Sequence, residues 1–269
     1  MSAPPPDGRR GGRARRYVSV ARAVYWRHMH LVFHNPALLL PALAFPIFFY
    51  VAFAGGLSRV SDIPAFDYYD YNAFQFTFVL LQSAAFGGVF IGFSIATDFD
   101  YGIARRLFLA AGDRSAIFVG YGAAALVRAL MVWAMVFVVA LVTGMEVAGG
   151  FSDLVGLFWL AVIVNVAAFL FAAGMMTRLR TMQAAPAMQV PVFMLLMTAP
   201  VYVTCELIDG WVATAAKYNP FTAILEAGRS LMAGDPFHIA LAFAAAGGLA
   251  AALVLFARRG LRKAEAAVA

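Results

Sequence analysis

His30 and His34 stand four residues apart, a spacing that sets two imidazoles on one helical face, and His28 lies just ahead of them. Such a pair holds zinc when further ligands join it. No carboxylate or cysteine stands near enough in the chain to complete the set, so these histidines read as side chains of a surface helix and no metal is expected. Asp62, Asp67, Asp70, Glu206 and Asp209 are the acids a membrane enzyme could gather at one face, but they fall in the loops opposite the arginine-rich ones. The only lysines, Lys217 and Lys263, follow Ala216 and Arg262, so no Gly-Lys pair exists to form a Walker A phosphate loop. The H-E-x-x-H and G-x-S-x-G patterns are absent too. The single cysteine, Cys205, forbids an intrachain disulfide and any cysteine-cluster metal site. Catalysis is disfavoured, and no catalytic residue is assigned.

The composition sets the frame for these side chains. Of 269 residues, 63% are hydrophobic and 13% charged, with 25 Phe, 10 Tyr and 4 Trp, and the mean hydropathy is +0.81. A soluble domain carries roughly twice that charge. Because a helix needs about 20 apolar residues to cross the bilayer's hydrocarbon core, the long apolar runs predict an all-α integral membrane protein with six transmembrane helices. They lie near Ala37–Leu57, Ala73–Thr97, Ala116–Thr143, Leu154–Thr177, Pro186–Thr204 and Phe237–Ala257. A cleaved signal ending at the Ala52-Phe-Ala54 step is disfavoured, since its apolar region would begin too far into the chain.

Arginines fix the expected orientation. They crowd before span one, after spans two and four, and after span six, whereas the opposite side holds only Arg59, Lys217 and Arg229. By the positive-inside rule both termini are cytoplasmic. The net charge of +6 therefore reports membrane topology, and no nucleic-acid partner is expected. Residues 1–16 read as a disordered basic tail touching lipid headgroups, and 263–269 as a short cytoplasmic tail. From Tyr17 to Asn35, Val18, Ala21, Tyr25, Met29 and Val32 recur at helical spacing, predicting an amphipathic interfacial helix that ends at Asn35-Pro36. Arg128 falls inside span three, where snorkelling toward the cytoplasmic interface is expected. Gly88 and Gly92 permit close helix approach in span two, and Pro186, Pro191 and Pro200 should kink or break span five.

Two loops are richer in information. Between spans two and three, Asp98, Asp100, Gly102, Arg105, Arg106, Leu107 and Arg114 belong to a short charged segment. Between spans five and six, Asn219, Pro220, Thr222, Glu226, Arg229, Leu231 and Gly234 form N-P-x-T-x-x-x-E-x-x-R-x-L-x-x-G, in which Asn-Pro can start a short helix and Glu226 can pair with Arg229. The first segment resembles the coupling-helix region of ABC-2 type ABC transporter permeases, and the second is similar to that family's hairpin signature. Two positions depart from the pattern: Arg105 stands where an acid is common, and Ala111 where proline is common.

The resemblance covers residues 17–262, includes drug-resistance exporter permeases and, more distantly, permeases for polysaccharides and lipo-oligosaccharides. It implies a short helical hairpin between spans five and six, a second permease copy or paralogue, and separate ATP-binding subunits. ATP and magnesium would sit on those subunits, with no cofactor on this chain. It further implies that Asp98–Arg114 receives the ATPase's motion, and that spans two and five line an alternating-access path in the plasma membrane, the bacterial inner membrane. Gln75, Phe78, Gln82 and Phe86 on span two and Gln189, Phe193, Met194 and Met197 on span five are the candidate lining. Sparse amides among aromatic and methionine surface suit an amphipathic drug or lipid. Phe66, Tyr68, Tyr69 and Tyr71 leave a sugar platform open, as against an outer aromatic belt. An ATPase-independent secondary transporter is a further alternative, though no acid lies near a span centre to couple it to an ion.

Overall fold

A computed structural model describes residues 8–64, 66 and 68–266. Helices α1 (Gly8–His34), α2 (Pro36–Gly56), α3 (Tyr71–Asp100), α4 (Ile103–Ala110), α5 (Ser115–Val142), α6 (Phe151–Leu179), α7 (Ala185–Met197), α8 (Gly210–Tyr218), α9 (Pro220–Ala233) and α10 (Ile239–Ala266) follow one another. No strand occurs among the described residues. The stretches Tyr71–Asp100, Ser115–Val142, Phe151–Leu179 and Ile239–Arg262 are long and apolar enough to cross a bilayer, and Ala42–Gly56 and Met182–Met197 are shorter apolar helices.

The polarity of the bundle is inverted relative to a soluble protein. Val138, Val142, Phe151, Trp159 and Leu255 lie on the outside, while Gln75, Gln82, Asn165, Thr177 and Arg229 are enclosed. Only a surrounding apolar solvent makes that distribution favourable. Helix α3 is the hub: 78% of its apolar window is buried, against 11% for α10, which touches the bundle along one side. Small residues bring α3 and α6 together. A Cβ on Gly88 would collide with the Asn165 carbonyl and come within 2.7 Å of the Phe169 nitrogen, and one on Gly92 would lie 2.9 Å from Ala172 Cβ. The Asn165 amide donates to the Ala84 carbonyl at 2.9 Å across the same contact. Gly88→Leu is therefore expected to destabilise the bundle by about 1–3 kcal/mol, since overpacking against backbone cannot relax through a rotamer. Gly112→Ala, where no atom lies within 4 Å, is the matched control. Unfolding midpoints in detergent check the pair.

Three expectations are adjusted. Helix α1 already begins at Gly8 instead of Tyr17, because Arg13, Ala14, Arg15 and Arg16 are strong helix formers through which a helix propagates; residues 1–7 of the expected tail lie outside the described residues. Its buried stripe includes Val24, His28 and Met29, while Val18 is exposed, because α1 packs on α5, where Gly120 faces Val24. The helix of span five stops at Met197 rather than Thr204. Pro200 cannot donate to a helical carbonyl and disfavours helical geometry at Ala199. The expected break at Asn35-Pro36 is present, with Pro36 opening α2. At the other end of the chain, α10 runs on to Ala266.

Candidate functional site

The segment after α3 is held from several sides. Asp98, at the end of α3, accepts hydrogen bonds from Arg27 of α1 and Tyr121 of α5, and the Arg27 contact is also an ion pair. Burial alone lowers the Arg27 pKa, but the hydrogen bond and charge of Asp98 outweigh it and the net shift is upward. Asp100 accepts from the Met182 backbone N–H at 2.9 Å, tying the same corner to the turn before α7. Gly102 then takes the left-handed conformation, φ 71°, at the start of α4, a geometry that costs glycine little. Helix α4 buries Ala104 and Phe108 and leaves Arg105, Arg106 and Leu109 exposed, with Leu107 intermediate. Arg114 closes the loop by donating from Nε to the Phe108 carbonyl at 3.2 Å. The result is a short amphipathic helix on a braced base, offering a basic outer face.

At the opposite end of the bundle, the Asn-Pro motif works as a clamp. The Asn219 Oδ1 accepts from the Phe221 N–H at 2.8 Å and so caps α9. Its Nδ2 donates to the Leu195 carbonyl at 2.6 Å and to Thr198 Oγ1 at 3.0 Å, holding the end of α7. Pro220 opens α9, and Gly234 closes it at φ 75°. The Thr222 hydroxyl is buried and finds no hydrogen-bond partner among the described residues. Arg229, 2% exposed, donates to the Pro200 and Val201 carbonyls at 2.8 and 3.2 Å and to Glu226 at 2.9 Å. It also lies 3.3 Å above the Phe74 ring. The pairing of Glu226 with Arg229 expected from their spacing is present, but the carbonyls that Arg229 satisfies lie about thirty residues away in sequence and follow only from the break in span five.

The aromatic group at the start of α3 is partly enclosed, with Tyr69 41% exposed. Phe66 and Tyr71 are buried, the Tyr68 hydroxyl donates to the Arg229 carbonyl at 2.8 Å, and Tyr69 donates to the carbonyls of Glu146 and Met232. Burial pushes the Tyr69 hydroxyl up to about 12, keeping its proton available for those bonds.

The candidate path residues divide into two groups. Gln75, Phe78, Gln82 and Phe86 are buried inside the bundle, where Gln75 donates to Tyr71 Oη at 2.7 Å and to the Val201 carbonyl at 3.3 Å. Neither amide atom of Gln82 has a hydrogen-bond partner among the described residues. On α7, Phe193 and Met194 are exposed, with Gln189 and Met197 half-buried. The other face of α7, with Pro191, Val192, Leu195 and Leu196, lines an apolar cavity of about 290 Å³ with α6 and α10. Sequence reasoning missed Arg27 as the partner of Asp98, since no local pattern links two residues so far apart. The His30 and His34 rings lie 3.8 Å apart, tilted by 32°, whereas His28 turns inward against Tyr121.

A helical bundle with an apolar outer surface, a braced amphipathic helix at one end and a clamped hairpin at the other has the build of a membrane protein. The profile described as ABC-2 type transporter matches residues 20–233, and the chain belongs to that family, whose members are membrane subunits that normally work with an ATP-binding subunit. The daunorubicin resistance ABC transporter permease protein DrrB1 of Streptomyces coeruleorubidus is 24% identical over 221 residues, covering 81% of this chain and 76% of the relative.

Proposed function

We propose that this chain is the transmembrane subunit of an ATP-driven exporter that moves an amphipathic drug, lipid or similar apolar compound out of the cytoplasm or the inner leaflet. The observation that carries the reading is α4, whose exposed Arg105 and Arg106 stand on a base fixed through Asp98 and Asp100 to α1, α5 and the turn at Met182. In this reading both termini are cytoplasmic, α1 lies along the inner interface of the bacterial plasma membrane, and α2 and α7 complete six spans. ATP and magnesium act on a separate ATP-binding subunit that docks on α4. A second permease copy or paralogue meets the exposed face of α7, so that Phe193 and Met194 join the path only in the assembled transporter. The drug-resistance relative supports an apolar cargo over a polysaccharide, as does the inward packing of Phe66 and Tyr71.

The test is co-expression with an ABC ATP-binding subunit, sought among the neighbouring reading frames, and measurement of transport-coupled ATP hydrolysis in proteoliposomes. Arg106→Glu reverses one exposed charge without touching the buried braces. It is expected to lower coupled hydrolysis severalfold while leaving the unfolding midpoint within about 0.5 kcal/mol of the parent, as for surface substitutions generally. Transport driven by a proton gradient through this chain alone, with no ATPase retained on purification, would overturn the proposal.

A further inference from the structure

Arg128 lies near the middle of α5, 13 residues beyond Ser115 in a helix of 28, or about 20 Å along the axis. It is 9% exposed. Its described partner is the Gly87 carbonyl, 3.1 Å from a terminal guanidinium nitrogen, and no described carboxylate forms an ion pair with it. A buried guanidinium without a counter-charge costs several kcal/mol, which an anion at the same place offsets.

The side chain lines a cavity of about 850 Å³ bounded by α1, α3 and α5, where His28, Ser94 and Asp98 also lie. Asp98 does not supply the missing anion to Arg128, since its carboxylate is taken by Arg27 and Tyr121. His28 is 4% exposed, and neither ring nitrogen has a hydrogen-bond partner among the described residues. Burial, with Arg27 next and Arg128 a smaller contributor, lowers its pKa to about 4, so at neutral pH the ring is uncharged and retains one N–H to donate. Leu31, Phe90, Ile91 and Phe93 supply an apolar stretch of the remaining wall, beside the polar side chains of Arg27, His30, Asn35, Thr97 and Tyr101.

We propose that this cavity binds an anionic phospholipid from the inner leaflet. Its phosphate meets the Arg128 guanidinium and accepts from the His28 ring, and an acyl chain lies along Phe90 and Phe93. A cationic end joined to an apolar wall suits an amphiphile of that charge better than a free ion, which would leave the apolar part empty. The leaflet assignment rests on the topology given under Proposed function, whereas lipid binding is measured without transport and stands or falls separately.

The full-length chain is reconstituted in nanodiscs containing phosphatidylglycerol and phosphatidylcholine in equal amounts, then released for native mass spectrometry. The parent is expected to retain phosphatidylglycerol about tenfold over phosphatidylcholine, a preference of about 1.4 kcal/mol. Arg128→Met is expected to bring the two to parity, and Arg128→Lys to keep most of the preference. Equal retention of the two lipids by the parent, or an unchanged preference in Arg128→Met, overturns the proposal. So does inorganic phosphate that, without lipid, raises the parent's unfolding midpoint as much as phosphatidylglycerol does, because the site is then one for a free anion. Should Arg128→Met fail to fold, a phosphatidylglycerol with a photoreactive headgroup is applied to the parent. Labelling of Arg27–Asn35 or Ala124–Arg128 is expected, and labelling confined to other segments overturns the site.

Discussion

Arg27→Met is expected to destabilise the protein by about 3–5 kcal/mol, the usual cost of removing one partner from a buried ion pair. Asp98→Asn should cost less, about 1–2 kcal/mol. The asymmetry comes from solvent access: the Asp98 side chain is 8% exposed and that of Arg27 36%. Without Arg27, a carboxylate is stranded in the bundle with Tyr121 as its remaining described donor. Without the Asp98 charge, the arginine can still turn part of its guanidinium to water. Unfolding midpoints of both single variants and the double variant in detergent give the coupling energy. Equal costs for the two single variants would show that the pair is less enclosed than its geometry indicates. Because Asp98 belongs to the segment proposed to receive the ATPase's motion, Arg27→Met should also lower coupled ATP hydrolysis by more than its loss of folded protein explains.

Arg229→Met is expected to be at least as damaging, about 3–6 kcal/mol, because it leaves two buried carbonyls without donors and removes the charge over Phe74. Arg229→Lys should recover only part of this, since an ammonium cannot reproduce the planar fork that reaches the Pro200 and Val201 carbonyls together. Glu226→Gln should cost under about 1 kcal/mol, because Glu226 is 42% exposed. Folded yield after membrane extraction and the unfolding midpoint rank the three. An Arg229→Met protein as stable as the parent would show that water or lipid headgroups satisfy the same carbonyls.

Much of the architecture is legible in the residues, for identifiable reasons. Apolar run length, Asn35-Pro36 and Asn219-Pro220 act locally, so the helices they bound stand close to where the sequence places them. Gly102 and Gly234 mark left-handed positions, which few other residues accept. What was not legible depends on pairing across the fold. Arg128, expected to snorkel toward the interface, bonds to Gly87 and lines an open recess bounded by α1 and α3, and neither the partner nor the recess registers in hydropathy. Gln75 and Gln82, candidate path residues by their amides in an apolar run, both lie inside the bundle, a placement that hydropathy alone does not give. Periodicity gave α1 an apolar face from Val18 to Val32 but not the contact with α5, which buries Val24, His28 and Met29.

Helix α7 has 13 residues and is about 20 Å long, against a hydrocarbon core of roughly 30 Å. Beyond it the chain runs irregularly through Pro200 and Val201, whose carbonyls are held by Arg229. With α7 as the proposed fifth span, the lipid beside it would have to thin to meet it, or polar groups would have to descend to make up the difference. On the proposed path, an amphipathic cargo then crosses a narrower dielectric barrier along α7 than along α5 or α6, and its polar end spends less of the journey unsolvated. Thicker bilayers should therefore slow transport, so that lipid chain length sets part of the export rate.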